Sequence, residues 1–342
     1  MADVLRLIDA NLNRAREALR VLEDYVRFVH DDAAVAATLK ALRHDLASAT
    51  DAVARQAVLH RSVETDVGKD IATPQERSRE DVAHVVLAAG KRLTEALRSL
   101  EEYLKVDHPA AAAAVEALRY RAYGVEAAVV RLARPVSPRL EGARLYVLIT
   151  ESACGGRDWA EVAEAALRGG AQVLQLREKG LEGGELLERA RRLVAMCRAA
   201  GAVAIINDRP DIAVLAEADG VHVGQGDLPA REARRIVGPE RIVGVSTHHL
   251  AQARQALEDG ADYIGAGPVW RSGTKPRDIS PGLDYLRQLR GFPRPVFAIA
   301  GITLERVREV REAGVDRIAV TAAATQAADV EAACRALREA LA

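Results

Sequence analysis

A chain of 342 residues is long enough for two domains, and 48 Lys and Arg against 49 Asp and Glu leave no net field that would single out nucleic acid or a membrane surface as partner. No uninterrupted apolar run approaches the ~18 residues of a membrane span, and the opening MADVLRLIDANLNRARE lacks the apolar core of a signal peptide. Three cysteines, Cys154, Cys197 and Cys334, are odd in number and lack metal-type spacing, which argues against a disulfide framework and fits a cytoplasmic protein acting on small molecules.

The first 134 residues read as helical and contain an internal repeat. Glu17-Ala-Leu-Arg-Val-Leu-Glu-Asp-Tyr25 returns as Glu95-Ala-Leu-Arg-Ser-Leu-Glu-Glu-Tyr103, and Lys40-Ala-Leu-Arg-His44 returns as Glu116-Ala-Leu-Arg-Tyr120. Nearly equal offsets predict two helical hairpins packed as a pseudo-twofold bundle. Leu12, Leu19, Leu22, Val26 and Val29 share one helical face, and Asn13, Glu17, Arg20, Asp24 and Arg27 share another. Such a stripe is ordinarily a solvated salt-bridge face worth a few tenths of a kcal/mol per pair. Recurrence of Arg14/Arg92, Glu17/Glu95, Arg20/Arg98 and Glu23/Glu101 favours a duplicated polar cleft over a freely drifting surface. An ancestral dimer interface kept after duplication, with a homo-oligomer as its modern form, is the competing reading.

Two prolines and a glycine in Arg134-Pro-Val-Ser-Pro-Arg-Leu-Glu-Gly142 interrupt the helical pattern, so 135–142 is expected to be a linker. Beyond it, eight short apolar runs at 145–150, 173–178, 203–208, 220–224, 242–247, 263–268, 296–301 and 317–322 each precede a helix-type stretch. Strands covered on both sides by helices read as continuous Val/Ile/Leu/Ala, so 143–342 is expected to be an α/β domain, a (β/α)8 TIM barrel following the all-α domain. Its chemistry belongs at the carboxyl ends of the runs.

Those ends are polar. The second run closes with Gln175-Leu-Arg-Glu-Lys179, where alternation turns Gln175, Arg177 and Lys179 the same way and suits an anion that carries a polar ring. Asn207-Asp208 closes the third, and Gly224-Gln-Gly-Asp227 follows the fourth. Each aspartate alone reads equally well as a helix cap, but the two together suit a Mg²⁺ ion bridging a diphosphate. Ser246 closes the fifth run. Ser272-Gly-Thr-Lys275 follows the sixth and offers backbone N–H groups and a point cation to an anion, with Gly273 inside it. Ala300-Gly-Ile302 and Thr321-Ala-Ala323 fall where barrels commonly hold phosphate, so two phosphorylated substrates are expected in one pocket. His222, His248 and His249 are read as hydrogen-bonded packing residues and left out of the catalytic set, because no Ser or Cys nucleophile pattern accompanies them. Trp270 is read as a wall.

Gln175-Leu-Arg-Glu-Lys-Gly180, Ile206-Asn-Asp208, Ala218-Asp-Gly-Val-His-Val-Gly-Gln-Gly-Asp227, Gly260-Ala-Asp-Tyr-Ile-Gly-Ala-Gly-Pro268, Thr274-Lys275 and Ala300-Gly-Ile302 together resemble the thiamine-phosphate synthase family over about 143–342. The resemblance implies a transferase that condenses an aminopyrimidine diphosphate with a thiazole phosphate. It implies that the 175–179 segment, Leu176 and Glu178 included, holds the pyrimidine diphosphate, with Arg177, Lys179 and Ser246 catalytic. Asn207 would orient the pyrimidine, Asp208 and Asp227 ligate Mg²⁺, and Ser272, Gly273, Thr274, Lys275, Gly301, Thr321 and Ala322 receive the thiazole. Two positions depart from the family pattern: Ser272 stands for threonine and Ala300 for glycine. A related thiazole tautomerase is the rival within this fold, but the full set of Gln175, Arg177, Lys179, Asp208 and Asp227 disfavours it. An inactive regulatory barrel is disfavoured by the same intact rim.

In the first domain, Asp9-Ala-Asn-Leu-Asn-Arg14, Arg43-His44-Asp45 and Thr65-Asp-Val-Gly68 resemble a small helical domain associated with hydroxymethylpyrimidine phosphate kinase activity. That resemblance implies ATP as a further substrate, although no nucleotide loop is present. A structural or oligomerisation module is the alternative.

Overall fold

The computed structural model describes residues 2–62, 64, 66, 67, 78–133, 135–271 and 281–342. It divides into two compact units, Met1–Pro135 and Val136–Ala342. Among the described residues no helix is long and apolar enough to cross a membrane.

The first unit is built from α1 (Ala2–Phe28), α2 (Ala33–Ala57), α3 (Val82–Asp107) and α4 (Pro109–Ala133). The repeat seen in sequence is carried into packing. Shifting α1 by 78 residues maps its buried Ile8, Leu12, Ala15, Leu19, Leu22 and Val26 onto the buried Val86, Gly90, Leu93, Leu97, Leu100 and Leu104 of α3. Shifting α2 by 76 likewise maps Leu39, Leu42 and Leu46 onto Val115, Leu118 and Ala122 of α4. The stripe of Asn13, Glu17, Arg20, Asp24 and Arg27 is exposed, as its helical phase requires. Val29, expected on the apolar face, is exposed instead, because α1 ends at Phe28 and the chain turns before that face is continued.

Two recurrent glutamates leave the polar stripe for the interior. Glu23 accepts from Arg43 Nε at 3.1 Å, and its repeat mate Glu101 accepts from Arg119 Nε at 2.8 Å. Glu101 is 1% exposed and also takes bonds from Arg98 and Lys105. A buried carboxylate must be paired or neutralised. Burial pushes the Glu101 carboxyl up, yet the bonds from Lys105 and Arg119 together with Arg98 outweigh it and hold the group at about 2.

The second unit is a closed barrel of eight parallel strands in sequence order. It runs α5 (Pro138–Glu141), β1 (Leu145–Ile149), α6 (Trp159–Arg168), β2 (Val173–Leu176), α7 (Gly183–Ala200), β3 (Val203–Asn207), α8 (Pro210–Leu215), β4 (Gly220–Val223), α9 (Ala230–Val237), β5 (Ile242–Thr247), α10 (Leu250–Glu258), β6 (Tyr263–Ala266), α11 (Gly282–Gln288), β7 (Val296–Ile299), α12 (Val307–Glu312), β8 (Ile318–Val320), α13 (Ala322–Thr325) and α14 (Val330–Ala340). Strand parity sorts the core. Leu145, Val147, Leu174, Leu176, Ile206 and Val243 face the helices, while Tyr146, Val173, Val203, Ile205, Tyr263 and Phe297 fill the barrel interior. Gly244 makes room for this filling: a Cβ there would lie 2.0 Å from the Tyr263 ring.

The expected linker 135–142 differs from expectation. Pro138 opens α5, whose Leu140 is fully buried in the same interior cluster as Tyr146 and Phe297, so this segment belongs to the barrel. Proline at the first helical position is a start signal as readily as a break.

Replacing Arg119 by Met should lower the stability of the helical unit by about 3 kcal/mol, because it leaves a carboxylate interior and under-paired; denaturant unfolding followed by circular dichroism measures it. The pH sign follows from the depressed value: stability from Glu101 is present above about 4.5 and is lost as pH falls toward about 2. Glu101→Gln should flatten that acid limb, and an unchanged limb would refute the assignment.

Candidate functional site

The carboxyl ends of the strands enclose a cavity of about 330 Å³. Gln175, Arg177, Asn207, Ser246, Gly301, Thr321 and Ala322 line it, so seven of the expected residues converge from β2, β3, β5 and the loops after β7 and β8. Ser272, Gly273, Thr274 and Lys275 lie outside the described residues.

A continuous hydrogen-bond chain forms the cavity floor. Gln175 Nε2 donates to Tyr146 Oη at 2.6 Å, Tyr146 and Tyr263 hydroxyls are 2.9 Å apart, Tyr263 Oη meets His222 Nδ1 at 2.9 Å, and His222 Nε2 meets Ser246 Oγ at 2.9 Å. Gln175 and His222 are buried and Ser246 is partly so, and each has the partners that a polar group in a barrel interior requires. Burial pushes both tyrosine hydroxyls well above their ordinary range, so they stay neutral hydrogen-bonding groups.

This chain gives His222 the hydrogen-bonded interior place expected of it and adds a serine partner that the sequence pattern did not show. The Ser246–His222–Tyr263 order resembles a nucleophile, base and orienting group, but the third member is a neutral phenol and offers no carboxylate to stabilise an imidazolium. The arrangement orients Ser246 instead of activating it. Cysteine offers no nucleophile either: Cys154, Cys197 and Cys334 are buried, and burial pushes their thiols up to about 11, 12 and 12.

Three expected contacts, Leu176, Glu178 and Lys179, are not among the residues lining the cavity, and parity accounts for the first two. Leu176 is a packing residue against the helices, and Glu178 accepts from the Glu151 N–H at 2.7 Å. Lys179, just beyond β2, forms a 2.7 Å ion pair with Asp208 at the end of β3. Asp208 holds a left-handed backbone with φ 61°, an uncommon conformation for a non-glycine residue. Neither aspartate caps a helix: α8 starts after Arg209 and α9 after Pro229. Asp227 Oδ2 instead accepts from Gly224 N at 2.9 Å and closes a tight turn at the cavity edge. Among the described residues no three His, Cys, Asp or Glu converge as an all-protein metal cage. Two hard carboxylates suit Mg²⁺, which keeps waters and takes phosphate oxygens.

Sequence reasoning also missed Arg306 and the tie between loops. Arg306 lines the cavity, donates to Gly301 O at 2.6 Å and lies over the Trp270 ring at 4.9 Å, while Trp270 N donates to Ala300 O at 3.1 Å. The loops after β6 and β7 are thereby stitched together. A Cβ on Gly301 would fall 2.6 Å from Trp270 Cβ, so glycine is required there.

Residues 145–324 match the family described as thiamine monophosphate synthase, and residues 6–128 match the ThiD2 family. The thiamine-phosphate synthase of Thermosynechococcus vestitus is 42% identical over 336 residues, which cover 97% of this chain and 93% of that protein. The thiamine-phosphate synthase of Rhodopirellula baltica is 41% identical over 331 residues, covering 94% and 88%. Among solved structures, the thiamine phosphate pyrophosphorylase from Pyrococcus furiosus is similar with a TM-score of 0.55 at 35% identity, over 60% of this chain and 98% of that one.

Ala300 adopts φ 76°, where an L side chain carries roughly 1–2 kcal/mol of strain. Ala300→Gly removes that strain against about 0.4–1 kcal/mol of added unfolded-chain freedom. The barrel's unfolding free energy should therefore rise, by up to about 1.5 kcal/mol, and its denaturant midpoint with it. A lower midpoint would mean that the alanine methyl contributes packing that offsets the strain.

Proposed function

This chain belongs to the thiamine-phosphate synthase family, and from that membership we propose how its barrel carries out the transfer and what the helical unit adds. The enzyme is a transferase. In the barrel, an aminopyrimidine whose exocyclic methylene bears a diphosphate meets a thiazole phosphate. The thiazole nitrogen forms a bond to the methylene carbon, the carbon–oxygen bond to the diphosphate breaks, and thiamine phosphate and diphosphate leave. The observation that carries this reading is the convergence of Gln175, Arg177, Asn207 and Ser246 in one cavity with the phosphate-type loops at Gly301 and Thr321.

Each residue has a role that its chemistry supports. Gln175, Asn207 and Ser246 give a polar ring fixed donors and acceptors, and the hydrogen-bond chain under them holds Gln175 and Ser246 in place. Arg177 and Lys179 take up charge developing on the departing diphosphate, and Lys179 exchanges its ion pair with Asp208 for the ligand. Mg²⁺ bound by Asp208 and Asp227 would neutralise the diphosphate. Gly301, Thr321 and Ala322, with Ser272, Gly273, Thr274 and Lys275, anchor the thiazole, and Arg306 contributes a further cation. No nucleophile of the protein is required, in keeping with the high thiol values and the neutral partner of His222.

The two-unit division, near residue 135, is read as a division of labour. The helical unit phosphorylates pyrimidine monophosphate: a phosphate oxygen of the monoester bonds to the γ-phosphorus of ATP, the bond to the β–γ bridging oxygen breaks, and ADP departs. Its product is the diphosphate that the barrel consumes. The match to the ThiD2 family supports this module, and the same small-molecule chemistry fits a cytoplasmic enzyme.

Incubating the full chain with pyrimidine monophosphate, ATP, Mg²⁺ and thiazole phosphate should yield thiamine phosphate, and omission of ATP should stop synthesis unless diphosphate is supplied. Asp227→Asn should reduce Mg²⁺-dependent synthesis about a hundredfold or more, with the melting temperature kept, since a few kcal/mol of charge stabilisation go with the ligand. Near-normal turnover at an unchanged Mg²⁺ requirement would sink the metal assignment. Lys275→Ala should raise the apparent KM for thiazole phosphate about tenfold and leave that for the pyrimidine alone. The reverse pattern would interchange the two ends of the pocket.

A further inference from the structure

The hydrogen-bond chain under the cavity carries an order of protons as well as an order of atoms. Gln175 Nε2 donates to Tyr146 Oη at 2.6 Å, and that hydroxyl then has one proton of its own to place. Among the described residues its other partner is Tyr263 Oη at 2.9 Å, so Tyr146 donates there. Tyr263 in turn gives its proton to His222 Nδ1, which is therefore the bare acceptor nitrogen, and the ring proton sits on Nε2 and goes to Ser246 Oγ. Running the bonds the other way from Tyr263 would strand the proton of the buried Tyr146, and an unsatisfied donor is what protein interiors avoid. The rings that carry these groups are fixed by packing. Phe297 lies edge-on to both tyrosines with centroids 5.3 and 5.6 Å away, a Cβ on Gly244 would overlap Tyr263, and a Cβ on Gly265 would lie 3.4 Å from His222 Cε1.

Both ends of the chain line the cavity, and each is left with a definite polarity. Ser246 Oγ accepts from His222 and keeps its own proton for a ligand, since it has no second partner among the described residues. Gln175 spends one N–H on Tyr146, and its Oε1 and second N–H have no partner among the described residues. A carbonyl oxygen beside an N–H is the pattern that matches an exocyclic amine beside a bare ring nitrogen, as an amide side chain matches the edge of adenine. A ring carbonyl beside a ring N–H has the reverse pattern and would set acceptor against acceptor and donor against donor.

We propose that Tyr146, Tyr263 and His222 are positioning residues that set the hydrogen-bond polarity of the pyrimidine site: their one-way chain holds His222 as the Nε2–H tautomer and selects an aminopyrimidine over the corresponding pyrimidinone. This rests on the transfer reading of the barrel and names what enforces its substrate class. To accept the pyrimidinone, Gln175 would have to turn its amide over and take the Tyr146 proton, which Tyr146 already gives to Tyr263. Each reversal forces the next as far as Ser246, so the choice is held by the whole chain and not by one amide.

The test uses the full chain with two probes, the aminopyrimidine diphosphate and the same molecule with an oxo group in place of the amine. In the parent, nitrogen NMR of labelled histidine should show His222 protonated on Nε2 and bare on Nδ1, its signals assigned by their loss in His222→Gln. Protonation on Nδ1 would mean that the chain runs backwards and overturns the proposal. Tyr263→Phe keeps the ring and removes one hydroxyl; it should raise the KM for aminopyrimidine diphosphate about tenfold, leave that for thiazole phosphate alone, cut the preference for amino over oxo about tenfold or more, and turn His222 into a mixture of tautomers. Tyr146→Phe frees Gln175 alone, so it should lose the same preference with the tautomer as in the parent, and it decides the matter should Tyr263→Phe fail to fold. Phe297→Leu loosens the rings without touching a hydroxyl and should lower the melting temperature while the preference is kept. Unchanged KM and preference in the tyrosine variants overturn the proposal, as does an equal loss in Phe297→Leu, which would make the effect one of packing. A parent that forms no thiamine phosphate overturns the transfer reading and its ligand, whereas the tautomer still decides the direction of the chain.

Discussion

The hydroxyl of Tyr263, in the middle of the closed barrel, bonds Tyr146 on one side and His222 on the other. A buried hydroxyl must find partners, and here each partner passes the requirement on: Tyr146 to Gln175, His222 to Ser246. Five strands' side chains are thereby held in one tier. The tier also separates the molecule's two kinds of interior, since aromatic rings and aliphatic chains fill the barrel below it and the cavity begins above it. The bonds that satisfy the buried hydroxyls therefore also fix side chains that line the cavity, and the room for Tyr263 depends on the missing side chain at Gly244.

The barrel was readable because each strand is covered on both faces and so reads as a short apolar run, and because polar residues cluster where those runs stop. Gln175, Arg177, Asn207 and Ser246 were found by that placement. Strand parity also carried information that the family resemblance overrode: the alternation that turns Gln175 and Arg177 inward turns Leu176 and Glu178 out toward the helices. Tyr146, Tyr263 and His222 were hidden for a different reason. An inward aromatic in a strand looks the same whether it packs or bonds, and only the spatial neighbour distinguishes the two. Arg306 was hidden by distance along the chain, since its cavity position depends on Trp270 from another loop.

The helical repeat was likewise legible in sequence, but the fate of its charges was not. Sequence spacing cannot tell that Glu101 turns inward to Arg119 while Glu102, beside it, stays half exposed. The distinction is made by α4, which brings Arg119 against α3 and compensates the burial.

The short helix at Pro138–Glu141 gives the chain an unexpected grammar. Leu140 belongs to the interior of the barrel although it stands before the first strand, and Arg139 extends this attachment by donating to Ala202 O and by its ion pair with Asp219. A gene rearrangement that transplanted the barrel from its first strand onward would leave its stopper behind. The breakpoint compatible with an intact barrel lies upstream of this helix, where the two compact units divide, and not directly before the first strand.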